Sequence, residues 1–149
     1  MLDLAQYVPW LLNRAARSVA DAFSRELAAL GVTLPMWRVM ASLRRAGPQR
    51  LGELSSLTAI ETSTLSRLLG QMQQRGLVRR ARSHGDARAI AVSLTRRAAA
   101  LTERIVPLAL RYEQAAVRDM SDSEIAILKR LLAQIHENLG VLMHDKSAD

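Results

Sequence analysis

Two groups of polar side chains in this 149-residue sequence stand close enough together to act as sets. Thr62, Ser63, Ser66, Arg67, Gln71 and Gln74 fall opposite Leu65, Leu68, Leu69 and Met72 on a 3.6-residue period, so a helix here turns them all outward. That face bears hydroxyls, amides and a guanidinium, and no acid. Hydroxyls near a helix N-terminus donate to phosphate oxygens or base edges, and a guanidinium forks onto guanine O6 and N7 or clamps a phosphate. Both roles stay open for Arg67. Thr62 serves equally as an ordinary N-terminal cap, whereas Ser66 lies inside the helix and is assigned to contact. The second group, Arg79, Arg80, Arg82, His84 and Arg88, surrounds the turn-forming run Ser83-His84-Gly85-Asp86. An arginine on a hairpin tip is drawn to a narrow A·T minor groove, where negative potential is concentrated. Arg44, Arg45 and Arg50 sit near helix ends and are at most phosphate contacts.

The charge distribution is lopsided. The net charge of +7 comes from 21 basic and 14 acidic residues, and 19 of the basic ones are Arg. Between Pro35 and Ala98 stand 12 Arg against Glu53, Glu61 and Asp86, a net of +9, while the rest of the chain nets −2. A near-neutral frame around a cationic middle is the footprint of a phosphate-backbone binder, the alternative being a solvated Arg-rich face. Zero cysteines exclude disulfides, thiolate zinc sites, iron–sulfur clusters and thiol switches. His84, His136 and His144 are scattered without ligand spacing, so neither metal nor cofactor is expected. No Gly-rich phosphate loop and no nucleophile with its base and orienting partner is present, which argues against an enzyme. A winged helix used only for protein contacts would carry acids or apolar groups where this chain has arginine. No basic start leads into an apolar run, and no stretch approaches the ~18 apolar residues of a membrane span, so the chain reads as soluble and cytoplasmic, without a membrane partner.

The elements that would hold these groups follow from the periodicity. Apolar residues from Leu4 to Leu30 recur at three and four, forming one long stripe ended by Gly31. Thr33 caps a second helix with Pro35 in its first turn, stopped by Gly47-Pro48. Leu51, Leu54 and Leu57 mark a short helix, Thr58 to Glu61 a tight turn, and the outward-facing set above lies on the helix after it. The period then falls to two over Leu77 to Arg80 and Ile90 to Leu94, which predicts a hairpin. Thr95 caps a helix running to about Asp119 with Pro107 inside it, and Ser121-Asp122-Ser123-Glu124 is a capping box for the last helix. The fold class is therefore mainly α with a small β-hairpin: a winged helix-turn-helix over 33–98, flanked by long dimerisation helices over 1–32 and 99–149 in one integrated domain. A helix of about 27 residues is about 40 Å long and outruns one small lobe. A second copy of the chain is the simplest cover for its stripe, giving a homodimer.

Four runs make the chain resemble the MarR family of bacterial transcriptional regulators. They are Leu34-Pro35-Met36-Trp37-Arg38-Val39-Met40, Ser63-Thr64-Leu65-Ser66-Arg67-Leu68, Gly76-Leu77-Val78-Arg79-Arg80, and Asp86-Ala87-Arg88 with Val92-Ser93-Leu94-Thr95. The resemblance implies a dimeric repressor on a pseudo-palindromic site in double-stranded DNA, with Arg88 entering the minor groove and Asp86 either orienting it or serving as a turn residue. It also implies release by a small aromatic or anionic effector, such as an aromatic carboxylate or its thioester, in a cavity between scaffold and reading lobe. Tyr7, Trp10 and Trp37 are the aromatic candidates for that cavity and Arg14 and Arg38 the charged ones, although core packing accounts for the tryptophans nearly as well. Ala59 and Ala98 depart from the glycines the family often has there, without touching a reading residue.

Overall fold

The computed structural model describes residues 2–83 and 85–145, without the side chains of 86, 87 and 141–145. Its helices are α1 (Val8–Ala29), α2 (Leu34–Ala46), α3 (Leu51–Thr58), α4 (Thr62–Gln74), α5 (Arg96–Ala116) and α6 (Asp122–Asp145). Its strands are β1 (Gln49–Arg50), β2 (Val78–Ser83) and β3 (Asp86–Leu94). The chain divides into two compact units, Met1–Tyr112 and Glu113–Asp149.

In the first unit the order of helices, tight turn and hairpin is the one the periodicity predicts. Three features differ. The first helix starts at Val8 rather than Leu4, because Pro9 lacks the N–H that would bond back to Ala5 and its ring crowds that carbonyl. The segment before it closes instead as turns, with Gln6 N–H on the Asp3 carbonyl at 3.1 Å. The hairpin acquires a third strand: β1 pairs antiparallel with β3, Gln49 opposite Val92 and Arg50 opposite Ala91, for a sheet order β1-β3-β2. Two residues are too few for any period to reveal. In α3, Leu54 is fully buried but Leu57 is half exposed, and Thr58, four residues after Leu54, completes the inner face. The Thr58 hydroxyl donates to the Leu54 carbonyl at 2.7 Å, so its burial leaves no polar atom unmatched.

The core joins Phe23 and Leu27 of α1, Val39, Met40 and Leu43 of α2, Leu54 of α3, Leu65, Leu69 and Met72 of α4, Val92 of β3 and Ile105 of α5. α1 and α4 end in the same way. The Val32 N–H bonds the Leu27 carbonyl and that of Gly31 bonds Ala28; the Leu77 N–H bonds Met72 and that of Gly76 bonds Gln73. Each is a Schellman turn that needs a left-handed residue, supplied by Gly31 at φ 69 and Gly76 at φ 66. Thr95 caps α5 as expected, accepting from the Ala98 N–H at 3.1 Å and donating to the Gly76 carbonyl at 2.7 Å, and α5 runs on through Pro107. It ends at Ala116, short of Asp119, where the backbone turns left-handed at φ 66.

The second unit consists mainly of α6. Ser121 and Glu124 form the predicted capping box, the Ser121 N–H donating to Glu124 at 2.7 Å and the Glu124 N–H to Ser121 at 3.3 Å. Glu113 pairs with Lys129 at 2.7 Å. Ile127, Leu128, Leu131, Leu132 and Leu139 remain exposed along α6, as do Val8, Leu11 and Val19 along α1. Among the described residues no helix is long and apolar enough to cross a membrane.

Ala59 closes α3 in the left-handed region, φ 54 and ψ 34, where a side chain is strained by about 1–2 kcal/mol. Glycine there would remove the strain while loosening the unfolded chain by about 0.4–1 kcal/mol. Ala59→Gly is therefore expected to stabilise the protein by about 0.5–1 kcal/mol, read as a higher denaturant midpoint at unchanged slope.

Candidate nucleic-acid interface

α4 shows how one buried face dictates the other. Leu65, Leu69 and Met72 are completely buried and Leu68 partly so, which leaves Thr62, Ser63, Ser66, Arg67, Gln71 and Gln74 all exposed. The predicted reading set is therefore brought together on one solvent-facing surface. What lies at its N-terminal end differs from expectation. The residue before the helix, Glu61, is its cap: the carboxylate accepts from the backbone N–H of Ser63 at 3.0 Å and of Thr64 at 3.1 Å, and from the Ser63 hydroxyl. The Thr64 hydroxyl adds a longer bond at 3.4 Å. Sequence rules favour Ser, Thr, Asp or Asn as N-caps and so pointed to Thr62. The run of three hydroxyl residues directly after an acid was the available signal. Thr62 is instead the first helical residue, its hydroxyl 3.4 Å from that of Ser55.

The wing lies alongside. Arg80 faces Val92 and Arg82 faces Ile90 across the ladder. From that face the Arg80 guanidinium donates to the Ser66 carbonyl of α4 at 3.4 Å. That bond joins the wing to α4, and Arg67 on the helix and Arg80, Arg82 and Arg88 on the wing are all exposed. His84 lies outside the described residues, as does the Asp86 side chain; the Asp86 backbone begins β3, opposite Ser83. The other side of the sheet carries an open groove of about 540 Å³, rimmed by Arg50, Arg79, Arg82 and Glu53 over Ala81 and Ala91. Of the peripheral arginines, Arg44 is committed to α5, its guanidinium bidentate on Glu103 at 2.5 and 3.1 Å. Hydrogen bonding to Arg44 lowers the Glu103 pKa, and the same pairing raises that of Arg44. Both ends are exposed, so the pair adds little stability.

The residues considered for an effector do not form one site within a single chain. Trp37 packs edge-on against Phe23, ring centroids 6.0 Å apart, and Phe23 in turn meets Tyr112 at 5.4 Å. Trp10 is 13 residues before Phe23 on the same helix, about 20 Å away at the α-helical rise. Tyr7 and Trp10 are 41% and 42% exposed, and Arg14 and Arg38 also face solvent. A spacing argument alone could not separate the two ends of so long a helix. Beside Tyr112, whose hydroxyl is 3.3 Å from Glu26, lies a crevice of about 380 Å³ lined also by Ala22 and Arg25. Among the described residues no cluster of three or more His, Cys, Asp or Glu could hold a metal.

The model of the MarR family matches residues 32–90, the stretch from the end of the first corner into β3. The transcriptional repressor NicR of Pseudomonas putida is 26% identical over 141 residues, covering 93% of this chain and 89% of its own. A MarR-family transcriptional regulator from Silicibacter pomeroyi superposes with a TM-score of 0.80 at 28% identity, over 91% of this chain and 92% of that one. The Bordetella bronchiseptica protein BpsR, solved in a study of how 6-hydroxynicotinic acid regulates its DNA binding, superposes at 0.82. It is 24% identical over 91% of this chain and 97% of its own, and speaks to the fold. NicR and the Silicibacter pomeroyi protein are both named as transcriptional regulators.

The Ser63 hydroxyl first, then the two backbone N–H groups, hold the Glu61 carboxyl down at about 2. A lowered carboxyl pKa stabilises the fold above the unfolded value of about 4.3 and stops doing so as the pH falls through about 2. A carboxyl-detected NMR titration should place the Glu61 midpoint near 2, and Ser63→Ala should move it upward; equal midpoints would show that the bond does not form in solution.

Proposed function

We propose that this chain, whose residues 32–90 match the MarR family model, is a homodimeric repressor that reads a pseudo-palindromic operator in double-stranded DNA and is released by a small effector. The observation that carries this is the junction of α4 and wing, where Arg80 meets Ser66 and Thr62, Ser63, Ser66, Arg67, Gln71, Arg80, Arg82 and Arg88 are all exposed. Helix N-terminal residues meet base edges in the major groove when such a helix docks, and a wing beside it reaches the neighbouring backbone or minor groove. We assign Thr62, Ser63, Ser66, Arg67 and Gln71 to the major groove, and Arg80, Arg82, His84 and Arg88 to the backbone and minor groove, with Asp86 orienting Arg88. Repression is proposed from NicR, a named repressor aligned over nearly the whole chain. The cytoplasm is where such a protein meets its DNA.

Dimerisation is proposed from the apolar side chains left in solvent on α1 and α6, which a second copy would cover, forming the dimerisation region of 1–32 and 99–149 around the reading lobe of 33–98. Two copies would set their reading helices into successive major grooves about 34–36 Å apart. For the effector we favour an aromatic carboxylate or its thioester. Trp37, which packs on Phe23, and the adjacent Arg38 of α2 are its candidate contacts within one chain, and Tyr7, Trp10 and Arg14 lie far enough along the chain to reach it only from another copy. An effector acts only through unequal affinity for two shapes of the dimer, so its site must change between them.

The test is a mobility-shift titration on the DNA upstream of the protein's own gene at two salt concentrations. Arg67→Glu and Arg88→Glu are each expected to weaken binding at least ten-fold and to flatten its salt dependence while sedimentation still reports a dimer. Unchanged affinity in both, or no retarded band for the unaltered protein at low salt, overturns the proposal.

A further inference from the structure

The two faces of the small sheet have different surroundings. On one, Val78 and Val92 are buried in the core and Arg80 reaches α4. The other carries the open groove of about 540 Å³. Arg50 of β1 and Ala81 of β2 both pair with Ala91 of β3, so the three form one row across it. Two methyl groups make the floor of that row low, and the longer side chains stand at its edges. Arg79 follows on the same face of β2, two residues from Ala81, and its Nε donates to the Ser93 hydroxyl at 3.1 Å. A guanidinium held through Nε keeps both terminal NH₂ groups for another partner, and phosphate is the anion such a fork takes bidentately. Arg82 joins the rim where the register shifts between Arg82 and Ser83. The one acid of the lining, Glu53, accepts from the Arg50 backbone N–H at 2.8 Å.

Sites for small organic ligands are enclosed and lined mainly by apolar and aromatic side chains. This groove is open and lined by three arginines and no aromatic residue. A polyanionic chain needs no enclosure, only cations spread along a surface, and the groove spans β1 to β2, about 10 Å at two strand spacings. Because the opposite face of the sheet meets α4, this one points away from the reading helix, toward duplex outside the base pairs α4 would read. We propose that Arg50, Arg79 and Arg82 form a second phosphate-binding surface that holds the backbone flanking each half-site, so that full affinity requires duplex on the far side of the wing. Phosphate contacts carry no base preference, so the flank adds affinity and salt dependence without adding sequence.

This rests on the DNA-binding proposal, and the experiment separates the two. The site upstream of the protein's own gene, trimmed to the outermost base pair whose replacement alters affinity, would be compared with a longer duplex. The longer one carries about ten further base pairs of arbitrary sequence, one helical turn, at each end. Unaltered protein and the double variant R50S/R79S would be titrated on both at two salt concentrations, with circular dichroism and sedimentation confirming helical dimers. Arg50 is the N-cap of α3, and serine serves well there. Lengthening is expected to gain about ten-fold more affinity for the unaltered protein than for the double variant, whose log–log salt slope on the longer duplex should be shallower by about 2 per half-site. An equal gain in both proteins, even with the variant weaker throughout, overturns the inference and leaves DNA binding standing. So does a groove that takes free phosphate instead: inorganic pyrophosphate raising the melting temperature of the unaltered protein and not of the variant, with no flank effect. No retention of either duplex by the unaltered protein removes both.

Discussion

Everything α4 can present depends on the burial of Leu65, Leu69 and Met72. With an apolar anchor in each turn held at zero exposure, the helix has a single rotational setting about its axis. A rotation of one residue, about 100°, would push Ser66 or Gln71 into the core without partners, at a cost of roughly 1–3 kcal/mol for each unmatched polar group. The reading face is thus a consequence of the core and needs no interaction of its own to stay outward. The same anchors tie the sheet in: Val92 of β3 is buried in that core, opposite Arg80, so the strand position that seals the interior also aims a wing arginine at α4.

The ends of α4 are held as firmly as its face. Glu61 answers two of the unsatisfied N–H groups at the start, and the Schellman turn at Gly76 closes the finish. From that finish Arg75 reaches back to the Gly31 carbonyl at the end of α1 and to the Met36 sulfur of α2 at 3.2 Å, while its own carbonyl accepts from Arg97 of α5 at 3.2 Å. One residue past the reading helix therefore touches three scaffold helices, and Thr95 adds the Gly76 carbonyl to the start of α5. A shift of α1 against α5 has a short, fully hydrogen-bonded route to the C-terminal end of α4. That is the physical requirement for a scaffold whose shape alters what the helix can reach.

Most of this was visible in the sequence where a local rule had a single answer. Thr33, Thr95 and Ser121 are caps by side-chain chemistry, Gly31 and Gly76 are the residues a left-handed end requires, and the two leucines and methionine of α4 leave only one inward face. What was missed lacked such a rule. β1 is two residues long and exists because β3 has an open edge for it, a tertiary fact. Glu61 is outside the usual set of N-caps, so the turn was recognised and its role at the helix start was not. The start of α1 was overrun because an apolar stripe continues through Leu4 although Pro9 forbids the backbone to follow it. The aromatic candidates are not gathered within one chain for the opposite reason: one helix carries Trp10 and Phe23 on a continuous stripe, and a stripe gives direction around the axis without saying which neighbour is met along it.

The placement of charge separates two tasks usually credited to one surface. A lobe with 12 arginines and three acids attracts any duplex, because phosphates are the same in every sequence. Adding another cation to the reading helix would tighten wrong and right sites alike. An acid at the end of that helix repels phosphates just as indifferently to sequence. Glu61 is one of those three acids, and of the 12 arginines it is Arg67 that shares its helix. The other 11 arginines lie outside that helix, on the wing and the flanking elements. Since specificity is a difference between affinities, a weaker but conditional contact achieves more than a stronger unconditional one.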